Sequence, residues 1–182
     1  RSTRGREVMS AIGFENLNSN AVQDPASFAS AMSKIEFTFN WFYADNQNIA
    51  LFSSGRVPVR AAGVDLGLPT VGTGGSEWNG FYTAAQHPQA VNPSGARILN
   101  WNNKPVAGWT AADDEWGYGS VHRAELLENA VARRSTHSLG SLVAAMNRAA
   151  TQDLRDAEVL PAIDAVLATG PAPSGREQQM LD

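Results

Sequence analysis

Three asparagines crowd around one tryptophan in "ILNWNNKPVAGW", residues 98–109: Asn100, Asn102 and Asn103 beside Trp101. Asparagine is a poor strand former, so the cluster is either turn chemistry or a set of donors aimed at a ligand. A fixed asparagine amide is a good donor to an oxyanion; the plainer use is to satisfy the backbone of a turn. Asp113, Asp114 and Glu115 form a short acidic run, to be read as a solvated turn or as oxygen ligands for a cation such as calcium. His87, His122 and His137 have no metal-ligand spacing, and no serine or cysteine motif accompanies them. Cysteine is absent, which excludes disulfides, thiolate metal sites and a cysteine nucleophile. Nor is there a GxSxG, HExxH or DxDxDG pattern. "GTGG" at 72–75 lacks the GxGxxG spacing and runs into "SEWNGF" instead of a helix, which argues against nucleotide binding. Trp78, Trp101 and Trp109 allow a rival from another class, a non-catalytic, aromatic-rich binding module that stacks a carbohydrate.

Elements that could position these groups fall into two zones. Residues 1–118 hold all five tryptophans and read as a strand and loop region, whereas 119–182 is rich in Ala, Leu, Val, Glu and Arg at helical spacing. Residues 6–13 support no assignment. Asp24-Pro25 starts a helix, with Asp24 as N-cap and Pro25 at the first helical position; Phe28, Met32 and Ile35 fall on one face. "EFTFNWFY" (36–43) alternates with period two, with Phe37, Phe39, Trp41 and Tyr43 on one side, and predicts a strand. "ADNQN" is a turn and "IALFSS" (49–54) a second strand, so 36–54 make a hairpin. Residues 55–80, with seven glycines and two prolines, read as a long loop. "RILNW" (97–101) reads as a third strand. Ser120 caps a helix to about Arg134, with Val121, Ala124, Leu127 and Val131 inward. A second helix over 138–155 turns Leu139, Leu142, Val143, Met146 and Ala150 to one face. Pro161 starts or kinks a third, and "GPAPSGREQQMLD" opens as a linker and ends in the first turn of another helix.

The length, 182 residues, is one domain's worth, and 43% hydrophobic content suffices for a core. A net charge of −4 and the lack of a Lys/Arg cluster remove the electrostatic footprint of a nucleic-acid binder. No apolar run reaches the roughly 20 residues of a membrane span. The chain opens on Arg1, with no signal peptide, and we expect an upstream segment and a cut downstream end. Two lysines against twelve arginines reflect genomic composition, not function.

Several motifs occur together and in order: "NWFYAD" (40–45), "GRVPVR" (55–60), "GLPTVGTGGSEWNGF" (67–81), "HPQAVNP" (87–93) and "NWNN" (100–103). In these the chain resembles the β-subunit of the penicillin acylase (penicillin amidase) family of N-terminal-nucleophile hydrolases. The resemblance is nearly gapless from about Thr38 to Asp113 and continues more weakly through "HRAELL" and "TQDLRDAEVLPAIDAVLAT". It implies an α+β fold: antiparallel strands from one layer of an αββα sandwich, followed by a helical segment, all part of one larger domain. It implies hydrolysis of linear amides in penicillin-like, acyl-homoserine lactone or related N-acyl compounds through an acyl-serine intermediate. No cofactor is required for catalysis.

Residue by residue, the resemblance makes Asn102 the oxyanion-hole amide, with Trp101 packed to hold it. Arg123 matches an arginine near the active site that orients this asparagine and the nucleophile. Phe39 matches an apolar residue lining the acyl pocket; its size here speaks against a phenylacetyl preference. Asp113 and the Leu66 carbonyl match ligands of the structural calcium ion found in several members. The family nucleophile is an N-terminal serine exposed by autocatalytic cleavage of a zymogen, with its own α-amine as base. "RSTRGREV" matches an interior stretch of the β-subunit, so Ser2 is not that serine. The expected partners are therefore the upstream α-subunit and the N-terminal part of the β-subunit, with a periplasmic or secreted location for the full-length protein. By itself the 182-residue piece is expected to be inactive and to self-associate through the Phe37, Phe39, Trp41 and Tyr43 strip.

Overall fold

The computed structural model describes residues 5–65, 67–109, 122–171 and 174–181. By backbone contacts the chain divides into two compact units, Arg1–Val121 and His122–Asp182. The fold class is α+β: helices and one antiparallel three-stranded sheet.

In the first unit, α1 (Glu7–Asn18) occupies the stretch that the sequence left unassigned. Its apolar residues do not form a clean stripe, since Val8 and Ile12 are exposed. What seats it is small: Ser10 and Gly13 are its buried residues. A Cβ on Gly13 would lie 2.9 Å from the Ala31 carbonyl oxygen, so only glycine permits this approach. The second helix, α2 (Pro25–Met32), starts as expected. The Asp24 carboxylate accepts from the Ser27 amide, and the Ser27 hydroxyl oxygen accepts from the Asp24 amide, a reciprocal cap. Ile35 lies beyond the helix end yet is buried with Phe28, Ala31, Met32, Ala50 and Phe52 in the core of this unit.

Strands β1 (Asn40–Ala44), β2 (Ile49–Ser53) and β3 (Gln89–Val91) pair antiparallel in that order. Opposite pairs Asn40–Ser53, Trp41–Phe52, Phe42–Leu51 and Tyr43–Ala50 set the faces. Trp41, Tyr43, Ala50 and Phe52 meet α2, and Phe42 is exposed on the other face. The hairpin is where the sequence put it, but its first strand starts at Asn40, not Glu36. The Ser54 amide bonds the Phe39 carbonyl, while the next amide, Gly55, bonds Ile35. Residues 36–38 form a bulge between these two contacts, with the Glu36 carbonyl held by the Arg56 amide at 3.0 Å. Phe37 and Phe39 stay exposed, and Trp41 and Tyr43 are half-buried against the core.

The strand expected at 97–101 does not form; these residues are irregular, and Gln89–Val91 takes the third place in the sheet. That strand is three residues long and carries too short a pattern to read. The long loop closes on itself through the Val59 amide to the Gly80 carbonyl, the Asn79 amide to Val59 and the Tyr82 amide to Val57.

In the second unit, α3 (His122–Ala132), α4 (Leu139–Ala150), α5 (Leu154–Leu167) and α6 (Arg176–Leu181) follow. Ser120 and Val121, expected at the start of α3, lie outside the described residues. Its buried face is Leu126, Ala130 and Val131, not Ala124 and Leu127. Ser138 caps α4 reciprocally with Ser141. Here the expected inner face is wrong: Ala145 and Ala149 are buried, while Leu139, Leu142, Val143 and Met146 are exposed. Against α3 the small residues allow close approach, which leaves the large ones outside. α5 begins seven residues before Pro161, which sits inside it. No described helix is long and apolar enough to cross a membrane.

Candidate active site

The asparagine cluster folds as a turn. The Asn100 side-chain oxygen accepts from the Asn102 amide at 3.1 Å, and the Asn103 side-chain oxygen accepts from the Trp101 amide at 2.8 Å. Asn100 Nδ2 donates to the Asn103 carbonyl at 3.1 Å, and Asn103 Nδ2 to that of Lys104 at 3.2 Å. Short amide side chains closing on backbone two residues away are the local chemistry asparagine favours. Asn102 sits at the crest with φ 60°, a left-handed conformation that asparagine tolerates better than most residues. Two of the three side chains are thus committed to the turn. The third, Asn102, is exposed; its backbone N–H donates to Asn100, but its side-chain amide makes no hydrogen bond among the described residues. Because 97–101 is not a strand, alternation does not place Asn100 beside Asn102; Asn100 and Asn103 instead share the work of the turn.

Phe39 stands 58% exposed at the foot of β1. Its ring lies 5.4 Å from that of Phe37 and 5.9 Å from Trp41, and behind them Phe14 stacks on Phe37 and meets Trp41 edge-on. The segment is held from below by Ser54, which has no exposed surface. Its hydroxyl accepts from Trp41 Nε1 at 2.8 Å and donates to the Phe37 carbonyl at 2.7 Å. Asn40, between Phe39 and Trp41, donates from Nδ2 to the Asn103 carbonyl at 3.4 Å. Phe39 and Asn102 therefore belong to segments of the first unit tied through one residue. Nothing in the sequence pattern marked Ser54; as one polar residue in a strand end it carries no period. Ser54→Ala would leave the Trp41 indole and the Phe37 carbonyl without this partner, at about 2 kcal/mol. For a chain of this size that is a fall of roughly 4–8 °C in melting temperature, measurable by calorimetry.

Arg123 is exposed on the first turn of α3 in the second unit. Asp113 and Leu66 lie outside the described residues. Among the described residues no group of three or more His, Asp or Glu is placed to hold a metal. His87 is buried, its ring stacked on Phe52 at 5.7 Å and edge-on to Trp109 at 5.1 Å. Nδ1 meets the Ser53 carbonyl at 2.8 Å, so it carries the proton. Burial pushes this imidazole's pKa down, and the Ser53 bond opposes that only in part, as suits a neutral structural histidine. His137 meets the Val131 carbonyl through Nε2 at 2.9 Å and joins the end of α3 to the start of α4. Trp109, 8% exposed and packed on His87 and Tyr82, offers no face for stacking a sugar. One of the three tryptophans that a stacking platform would use is therefore closed to a ligand.

Residues 10–182 match the family model for penicillin amidase. A curated relative, penicillin G acylase of Escherichia coli, is 27% identical over 184 residues, covering 100% of this chain and 21% of that protein. A solved structure, a thermostable penicillin G acylase from Alcaligenes faecalis, superposes with a TM-score of 0.79 at 28% identity. That match covers 96% of this chain and 31% of the other. The chain thus spans about a fifth of the length of the curated relative.

Proposed function

The chain belongs to the penicillin amidase family, and from that footing we propose that it works as the oxyanion-donor portion of a longer amide hydrolase. The observation that carries the reading is the Asn102 turn: a side-chain amide uncommitted among the described residues, on a crest built by its two asparagine neighbours. The substrate class is an N-acyl compound with a linear amide, as in the penicillin-type substrates for which the relatives are named.

In this reading the family's N-terminal serine, supplied elsewhere in the polypeptide, attacks the amide carbon as its own α-amine takes the hydroxyl proton. The carbonyl π electrons move onto oxygen, where the Asn102 Nδ2–H meets the charge. Collapse expels the amine, which leaves with the proton and gives an acyl-serine ester. Water then attacks the ester through a second oxyanion at the same donor and releases the acid and the serine. Arg123 would orient donor and nucleophile, a role that rests on the resemblance.

The test is hydrolysis of chromogenic phenylacetyl, glutaryl and long-chain acyl anilides by the full-length protein. Turnover of at least one supports the proposal; turnover of none at the level of a heat-treated control overturns it. Phe39 gives the reading a specificity arm. Exposed at the foot of β1, it would narrow an acyl pocket at little cost to the core. Phe39→Ala should raise kcat/KM for the bulkiest acyl group relative to the smallest by at least about tenfold. An unchanged ratio would remove Phe39 from the pocket.

A further inference from the structure

We propose that Asn40 is a positioning residue for Asn102, its amide docking the donor turn onto the sheet. The inference rests on the Asn102 reading above. Asn40 opens β1 opposite Ser53, on the face away from Trp41 and the core. From there Nδ2 spans 63 residues of sequence to reach the Asn103 carbonyl at 3.4 Å. A carbonyl oxygen can only accept, so the nitrogen end of the amide must face it. The same oxygen takes Asn100 Nδ2 at 3.1 Å. Hydrogen bonds between Asn100 and Lys104 join residues no more than three apart. Those bonds give the turn its shape, and the Asn40 bond gives it a place on the sheet.

A second observation points the same way. Asn40 Oδ1 is buried with no hydrogen-bond partner among the described residues. Stability alone would favour an apolar side chain here, since an unsatisfied buried oxygen is costly. A residue that breaks a local rule while its other end ties down a candidate donor is behaving as functional residues do. The base of the tether is also firm: the Ser54 amide holds the Phe39 carbonyl at 2.9 Å, and Ser54 Oγ holds the Trp41 indole at 2.8 Å.

The experiment is a double-mutant cycle in the full-length amidase, with melting temperatures recorded for every variant. Asn40→Ala is expected to lower kcat by about 10- to 100-fold, as small misplacements of a reacting group do, with KM within about threefold. Asn40→Asp keeps the size, removes the Nδ2 donor and should behave alike; it decides the matter if the alanine variant does not fold. In an Asn102→Ala background, adding Asn40→Ala should lower kcat by less than about threefold, because the group it positions is gone. A merely structural residue would lower the melting temperature and leave the two kcat effects multiplicative, which overturns the proposal. Parental kcat in Asn40→Ala, with Asn102→Ala collapsed, overturns the positioning role and leaves the donor reading standing. Parental kcat in Asn102→Ala removes the donor reading and this inference together.

Discussion

Replacing Asn102 by alanine in the full-length, processed enzyme is expected to lower kcat by about 10²–10³-fold and to leave KM within a few-fold. An oxyanion donor in a site sheltered from water is worth about 2.7–4 kcal/mol. Its contact strengthens only as charge develops, so the loss falls on kcat and not on substrate binding. The backbone adds a complication that also supplies the control. Asn102 has φ 60°, where alanine is strained by about 1–2 kcal/mol and glycine is not. Asn102→Gly therefore removes the amide while relaxing the turn, and it should lose turnover like the alanine variant without the accompanying loss of stability. Asn103→Ala should show the opposite pattern, since its side chain caps the Trp101 amide at 2.8 Å and donates to Lys104. It should lower the melting temperature more than kcat. If Asn102→Gly folds, matures and keeps turnover within a few-fold of the parent, the donor assignment is wrong.

The legible parts of this fold are those whose signal is local. Asp24-Pro25 announces α2, because an N-cap and a first-turn proline act within four residues. The hairpin of β1 and β2 follows from alternation, and the asparagine cluster is visible as chemistry. What escaped depends on partners distant in sequence. α1 is seated by Gly13 against the Ala31 carbonyl, an absence of side chain that no hydrophobic pattern records. β3 exists because Gln89–Val91 meets Ala50–Phe52 across the sheet, and "RILNW", the better strand by composition, finds no such edge. In α4 the large apolar residues form a stripe that faces outward, whereas Ala145 and Ala149 make the packed face. Within the site, Asn102 follows a run with strand composition but sits on the crest of a turn. A strand would have paired Asn100 with Asn102; the turn separates them and leaves one amide uncommitted among the described residues. Asn40 and Ser54 became visible as supports only with the 63-residue and 13-residue connections in view.

Gly55→Ala is the substitution expected to cost the fold most, about 3–5 kcal/mol, and it tests the bulge on which Phe39 and Asn40 stand. Two independent effects add. Gly55 has φ +124°, a conformation that residues with a Cβ rarely adopt, and the strain is of order 1–3 kcal/mol. An added Cβ would also lie 2.9 Å from Thr38 Oγ1 and 3.3 Å from Thr38 Cα. The second neighbour is backbone, so it cannot rotate away, and relief requires the bulge at 36–38 to move. That bulge leads directly into Phe39 and Asn40, so displacement there should reach the Phe39 ring and the tether to Asn103. Calorimetry on the 182-residue chain should show the melting temperature fall by roughly 6–20 °C. Gly74→Ala separates the two effects. Its φ is +98° with nothing within 4 Å of the added Cβ, so it should show the smaller, strain-only loss. Thr38→Ala in the Gly55→Ala background removes Oγ1 and should recover part of the deficit, whereas purely conformational strain would leave the two changes additive. A Gly55→Ala chain that melts within about 2 °C of the parent would mean that the ladder is not broken at residues 36–38, and that Asn40 is placed by something other than this crossing.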